Sequence, residues 1–314
     1  PTLSELQEEN DAQFIKAASR VTRYIRDGDV FQVNLSRIWQ SNTRHPLQAT
    51  HTFAAWSLYR SLRDSNPAPF SGLVSFFDAA NNTSIISSSP ERLLTVRNNV
   101  IESRPIAGTR PRSLSAAQDK ILHDELHANP KEQAEHVMLI DLIRNDLGRV
   151  CEPGSVRVDE FMINESYAHV HHIVSNIIGK KQQGKTPGQV IKAIFPGGTI
   201  TGCPKERCME IIAELEQTAR GAYTGSMGYV NLDGCMDLNI LIRTMQLEQL
   251  QRSQDVPERS AAQNDSLSAE AVQRLSFRAG AGLVADSIAE KELHETRAKA
   301  KGLLKSLEPF MQTE

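Results

Sequence analysis

The chain has 314 residues, 39% of them hydrophobic and 23% charged, with a formal net charge of -3 and a pI near 6.4. That length and apolar content can bury one large core or two smaller ones and exclude a disordered polymer. The near-neutral charge supplies no long-range field for gathering phosphate backbones, so a nucleic-acid binder is disfavoured.

No run approaches the roughly 20 apolar residues of a bilayer span, and the polar stretch from Pro1 to Asn10 is unlike a signal peptide. A cytoplasmic protein off the membrane is the expectation, with Cys151, Cys203, Cys208 and Cys235 as reduced thiols, since they form no CxxC pair. A start at Pro1 rather than Met suggests a fragment or a processed chain.

In chain order, Phe14, Ala17, Ala18, Val21, Tyr24 and Ile25 recur at helical spacing between Leu6 and Asp27, and Gly28 stops the pattern. Val30 to Trp39 alternates as a half-buried strand, with Phe31, Val33 and Leu35 on one face and Gln32 and Asn34 on the other. Strands are predicted at Gly72 to Phe77, Ser84 to Ser88, Arg92 to Val96 and Val100 to Arg104. A helix follows from Ser115 to His127, and Asn129-Pro130 starts a second that runs to about Leu147. Then come a short strand near Ser155 to Asp159, a strand from Ala168 to Ile178, a helix from Pro187 to Ile194, and a glycine-rich loop, Phe195 to Gly202, leading into a helix at Pro204. Two strands joined at Asp233-Gly234 carry the chain from Ala222 to Gln246. Residues 248–270 read as a polar, mobile insertion within one domain spanning 1–314. A strand through Phe277 to Leu283 feeds the last helix, Ala289 to Leu307.

Several residues could carry chemistry. Glu135 shares a helical stripe with Met138, Leu139 and Leu142, and Glu292, Glu295 and Lys299 share another. Two facing helices would converge hard oxygen ligands suited to Mg²⁺. The same spacing equally permits a plain Glu295–Lys299 helix pair, and a capping box for Glu132 with Asn129. The 197–202 loop suits an anion but lacks the Lys-Ser/Thr of a Walker A loop, which argues against a nucleotide site. Arg104, Arg110 and Arg112 could form a local anion site. Gly280-Ala281-Gly282 allows close backbone approach, and Arg243, after Ile240-Leu241-Ile242, would be costly inside an apolar strand without a carboxylate. Glu91, beside Arg92, would alone be read as a surface ion pair. His169, His171 and His172 have no companion ligands, so zinc is not expected.

Taken together, GDVFQVNLSR, SSSPERLL, ESRPIAGTRPR, EHVMLIDLIRNDLGRV, HHIVS, FPGGTITGCPKERCMEII, GAYTGSMGYV, MDLNILIRT, FRAGAGLVADS and ELHETRAKA occur in order from residue 28 to 300. In these stretches the sequence resembles the chorismate-utilising enzymes, the family that includes anthranilate, aminodeoxychorismate, isochorismate and salicylate synthases. The resemblance implies an α+β fold of antiparallel sheets packed as a sandwich and flanked by helices, with a further N-terminal segment in family members that this sequence does not show. It implies Mg²⁺ held by Glu135 and Glu295, with Glu132 and Glu292 reaching it through water. It places Tyr223 and Arg243 on a substrate carboxylate, assigns Gly280, Ala281, Gly282, Lys299 and Thr201 to the substrate site, and makes Glu91 the general acid for the C4 hydroxyl, with His172 beside the ring.

Within the family, members that activate water carry a lysine where this chain has Gln32, which cannot act as a base, so ammonia is the expected nucleophile. The PIKGT lysine of many aminodeoxychorismate synthases is Ala107 here, before Gly108 and Thr109, which excludes covalent catalysis through it. Alanine is also found in anthranilate synthases, whereas the QVNLS and GGTITG wording is nearer aminodeoxychorismate synthase component I. The expectation is therefore 4-amino-4-deoxychorismate from chorismate and ammonia, on the route to para-aminobenzoate and folate, with ammonia supplied from glutamine by a separate amidotransferase subunit. Anthranilate synthase component I is the alternative.

Overall fold

A computed structural model describes residues 1–45, 51–77, 82–113, 115–128, 130–166, 170–249 and 271–311. Among these residues, two antiparallel sheets account for the strands. The first contains β1 (Thr2–Leu3), β2 (Gln7–Glu8), β3 (Gln32–His45), β4 (Phe70–Phe77), β5 (Asn82–Ser89), β11 (Gly202–Cys203), β14 (Thr244–Gln249) and β15 (Ala271–Leu283). The second contains β6 (Arg92–Arg97), β7 (Val100–Ser103), β8 (Ile106–Pro111), β9 (Arg157–Ser166), β10 (Val170–Lys180), β12 (Gly228–Val230) and β13 (Met236–Asn239). The helices are α1 (Asp11–Arg26), α2 (His51–Ser65), α3 (Ala116–Ala128), α4 (Pro130–Gly148), α5 (Pro187–Ile194), α6 (Lys205–Glu216) and α7 (Ala289–Leu307). The expected α+β sandwich flanked by helices is what forms.

Each sheet hides an apolar face under helices. Along β3 the two-residue period sends Val33, Leu35 and Trp39 into the core and Gln32, Asn34 and Ser36 to the opposite face. Its partner β15 follows suit: Leu275, Phe277, Ala279 and Leu283 are buried with the apolar set, Ala281 is buried opposite Leu35, and the Phe277 ring stacks on Trp39 at 5.5 Å between centroids. Leu58 and Leu62 of α2 and Ala300, Leu303 and Leu307 of α7 cover this face; burying each leucine contributes about 1.5–3 kcal/mol. Phe14, Ala18 and Val21 of α1 meet Ile211, Ile212 and Leu215 of α6 around the start of β3. On the second sheet, Ile140, Ile143 and Leu147 of α4 and Val190 and Ile194 of α5 pack on Leu94, Ile101 and Ile177.

Local signals set several boundaries. Asn10 caps α1 by accepting from the Ala12 N–H at 2.8 Å, so the helix starts at Asp11 rather than Leu6, and Gln7–Glu8 pair with β3 instead. A Thr186–Gln189 capping box starts α5 as predicted from Pro187. Phe31 lies outside β3 and is 68% exposed, so it does not share the buried face. The short strand predicted near 155–159 extends as β9 to Ser166. The Asp233-Gly234 hairpin is shorter than expected, because after Asn239 the chain leaves the second sheet and joins the first at Thr244. Helix α2 and strand β8 have no counterpart in the sequence expectations, although the buried stripe Ala54, Ala55, Leu58 and Leu62 has helical spacing. The predicted insertion lies outside the described residues except for Glu248 and Gln249, which end β14.

Candidate active site

Chemistry-bearing groups converge on Glu91, which lies in the link between β5 and β6. Its carboxyl is buried rather than paired on the surface. Arg92 turns away, binding Asp237 at 2.9 Å and Glu102 at 3.4 Å. Burial pushes the Glu91 pKa up from 4.5 to about 7. The Thr199 hydroxyl, the Lys299 ammonium, the Ile106 backbone N–H and the Arg243 guanidinium oppose that rise by favouring the anion. A carboxylic acid half-protonated near neutrality, among groups that stabilise its anion, is equipped to give up a proton.

Arg243 reaches this place from the crossing between sheets, not from inside a strand as the sequence suggested. It has a left-handed backbone at φ 50° after Ile242, and burial lowers its pKa while Glu91 raises it. On the opposite side, β3 and β15 present their polar face. Gly280 pairs with Ser36 and Gly282 with Asn34, so residues without side chains lie under Asn34 and Gln32. A Cβ on Gly280 would stand 2.5 Å from Asn34 Oδ1 and 2.9 Å from both the Leu35 carbonyl oxygen and the Tyr223 hydroxyl. On Gly282 it would stand 2.6 Å from Gln32 Nε2. These glycines thus let two amides and a tyrosine close over the sheet. Ala281, buried and paired with Leu35, faces the other way and contributes only backbone to this surface.

Tyr223 is buried, and desolvation pushes its pKa up to about 12, so it keeps its proton as a donor. It is steadied by Arg220, whose guanidinium lies 5.5 Å from the ring centroid. Arg220 also donates to the Asn34 carbonyl at 2.7 Å and the Ile200 carbonyl at 2.9 Å, and it shares Glu216 with Arg278 at 2.6 and 3.2 Å. This buried Arg–Glu–Arg group binds β3, α6, β15 and the glycine-rich loop into one platform. Thr201, on that loop, accepts the Asn34 N–H through its carbonyl at 2.8 Å and turns its hydroxyl to the Gly197 carbonyl at 2.8 Å. A cleft of about 510 Å³ runs past Thr201, Tyr223 and Arg220 towards Met209 and Phe195. It does not include Glu91 or Arg243, and the chemistry belongs where the buried polar groups meet.

The predicted metal ligands lie on two helices packed on different sheets. Glu135 is half-buried on α4 beside the buried His136, which hydrogen-bonds Ser175 of β10 at 2.7 Å and so fixes the helix to the second sheet. Glu292 is buried on α7 and accepts from the Ser287 hydroxyl at 2.7 Å, while Glu295 makes the helix pair its spacing allows, 2.7 Å from Lys299 Nζ. Among the described residues no three His, Cys, Asp or Glu side chains cluster as a closed centre. Carboxylates offered in ones and twos fit Mg²⁺, which completes its shell with water and substrate oxygens. The side chains of Glu132, Ala107, Thr109 and His172 lie outside the described residues, and so does all of His169. The backbone places Thr109 opposite His172 and Ala107 opposite Ile173 on β8 and β10, beside the Ile106 that faces Glu91.

Of the three arginines expected at a local anion site, Arg110 has its side chain outside the described residues and the other two are already paired. Arg104 pairs with Glu160 at 2.5 Å and with Glu165, and Arg112 binds Asp119 at 2.9 Å, so neither is a spare cation for an anion site. Lys205, just beyond the 197–202 loop, binds Asp146 at 2.5 Å and the Ile194 carbonyl at 2.7 Å, which agrees with the reading that this is not a Walker A loop. What the loop delivers instead is Thr199, which the sequence reading passed over. Its only signal was a hydroxyl residue flanked by glycines in FPGGTITG.

The sequence model of the chorismate binding enzyme family matches residues 1–305. The chain is 44% identical over 296 residues to aminodeoxychorismate synthase component 1 of Bacillus subtilis, covering 94% of this chain and 55% of that protein. It is 43% identical over 296 residues to an anthranilate synthase component I-like protein of Synechocystis sp., covering 94% and 54%. Among solved structures, anthranilate synthase component I from Streptococcus pneumoniae TIGR4 superposes with a TM-score of 0.75 at 34% identity, covering 96% of this chain and 60% of that one. The chain therefore belongs to the chorismate binding enzyme family, and it spans about half the length of the curated relatives it matches.

Proposed function

We propose that the chain is the chorismate-aminating component of an aminodeoxychorismate synthase, replacing the C4 hydroxyl of chorismate by an amino group. The observation that carries this reading is Glu91: a buried acid with its pKa near neutrality, flanked by Arg243 and Lys299, in a family whose substrate is a dicarboxylate bearing a leaving hydroxyl. Arg243 and Tyr223 hold one carboxylate, with Lys299 and the backbone at Gly282 adding contacts. Glu91 then delivers its proton to the departing hydroxyl, which leaves as water. Gln32 supplies no base, which favours ammonia over water as nucleophile. Glu135 and Glu295 would hold Mg²⁺, with Glu132 and Glu292 behind its waters. When bound, the ion neutralises the ring carboxylate and acts as a Lewis acid. Ammonia comes from a glutamine amidotransferase subunit.

The second reading, anthranilate synthase component I, is favoured by Ala107 and by the equally close relatives of that name. Incubation with chorismate, Mg²⁺ and ammonium separates the two. The expected product yields para-aminobenzoate once the lyase is added; anthranilate formed directly would overturn the assignment. No product with either would overturn the aminating function.

A further inference from the structure

Four buried polar atoms around the site meet no hydrogen-bond partner at normal distance: Gln32 Oε1, Asn34 Oδ1, Glu91 Oε1 and Thr199 Oγ1. Native interiors rarely leave such atoms unpaired, and several together indicate groups that await a ligand. The four belong to one neighbourhood. Asn34 Nδ2 donates to the Thr199 carbonyl at 3.2 Å, the Thr199 hydroxyl faces Glu91, and Gln32 lies two residues from Asn34 on the same face of β3.

The orientation of Asn34 is forced. A backbone carbonyl can only accept, so the amide must turn its NH₂ towards Thr199 and its oxygen the other way. That oxygen comes to stand over Gly280, where even a methyl group would collide with it. The Asn34 backbone is pinned on both sides, its N–H to Thr201 and its carbonyl to Arg220. The amide oxygen is therefore a fixed acceptor held over Gly280, on the side of the Tyr223 hydroxyl.

We propose that Asn34 binds the nitrogen nucleophile, its Oδ1 accepting a hydrogen bond from ammonia in concert with Gln32 Oε1, and that this pair selects ammonia over water. The proposal rests on the aminating reading above. As the nitrogen lone pair forms the new C–N bond, the C–O bond breaks and the hydroxyl leaves as water with the proton from Glu91. The nitrogen meanwhile becomes an ammonium, whose N–H groups bind amide oxygens more strongly than neutral ammonia does, so the contact tightens towards the transition state. It then returns one proton to the Glu91 carboxylate, leaving a neutral amine. Water attacking the same carbon would need a base at the moment of attack, and two amides supply none. Thr199 is a positioning residue here: its carbonyl orients Asn34, and its hydroxyl faces Glu91.

The test is steady-state kinetics of the full chain with chorismate and ammonium for Asn34→Leu, close in size but without the acceptor. The expected result is a KM for ammonium raised about tenfold or more, a chorismate KM within about twofold of the parent, and an unchanged melting temperature. An unchanged ammonium KM, or two KM values that rise together, would overturn the proposal; should Asn34→Leu not fold, Asn34→Ser is measured against the same criteria. An unmodified chain that makes no aminated product overturns the aminating reading and this inference together. An active chain indifferent to the substitution overturns the inference alone.

Discussion

At the scale of single residues, the proposed chemistry turns on a carboxyl kept protonated by burial. Glu91 has a folded pKa of about 7 against an ordinary 4.5. As the proton donor it must start protonated, so kcat/KM should fall as pH rises through about 7. Replacing it by Gln should lower kcat by about 10²–10⁴-fold while leaving chorismate binding largely intact, as pH–rate profiles and substrate titrations would reveal. Stability carries a linked signature. Between pH 4.5 and about 7 the folded chain keeps a proton that the unfolded chain has released, so the Glu91 contribution is fully present below 4.5 and is lost as pH rises through 7. Urea unfolding of Glu91→Gln should be less pH-dependent across that window than the parent. None of this was legible locally: Ser88-Ser89-Pro90-Glu91-Arg92 has the look of a surface turn, and only the packing of two sheets buries its acid while Asp237 and Glu102 draw Arg92 away.

At the scale of elements, period and punctuation carried most of the information. The alternation in QVNLSR set the two faces of β3, and Pro187 and Ala289 start α5 and α7 as expected. Register was invisible: nothing local says that Gly280 and Gly282 come to lie under Asn34 and Gln32, because that pairing joins residues more than 240 positions apart. The Arg220–Glu216–Arg278 platform was hidden too: Arg220 is four positions from Glu216, but Arg278, 62 positions on, reaches the same carboxylate only through the fold. The two glycines should not be equivalent. A methyl at Gly280 meets the Leu35 backbone carbonyl as well as Asn34 and Tyr223, whereas at Gly282 it meets only the movable end of Gln32. Gly280→Ala should therefore lower kcat/KM for chorismate by about tenfold or more, and Gly282→Ala by clearly less. Equal effects would show that close approach at Gly280 is not what the site requires.

At the scale of the whole molecule, the α+β sandwich was legible only through the ordered motifs that carry the family resemblance, and the crossing after Asn239 was not legible at all. The apolar run Ile240-Leu241-Ile242 looks like continued strand, yet the chain uses it to pass from one sheet to the other and deliver Arg243 beside Glu91. The site therefore depends on the two sheets being held together, with α4 and its Glu135 on one and α7 and its Glu295 on the other. A metal bridging those halves through the substrate would make ligand binding and metal binding a single linked event. Calorimetric titration of chorismate into Glu91→Gln, in which the chemistry is stalled, tests this most directly. Binding that requires Mg²⁺ and is lost in a Glu91→Gln, Glu135→Ala double variant is the expected result; binding of equal strength with and without Mg²⁺ would contradict the metal's role.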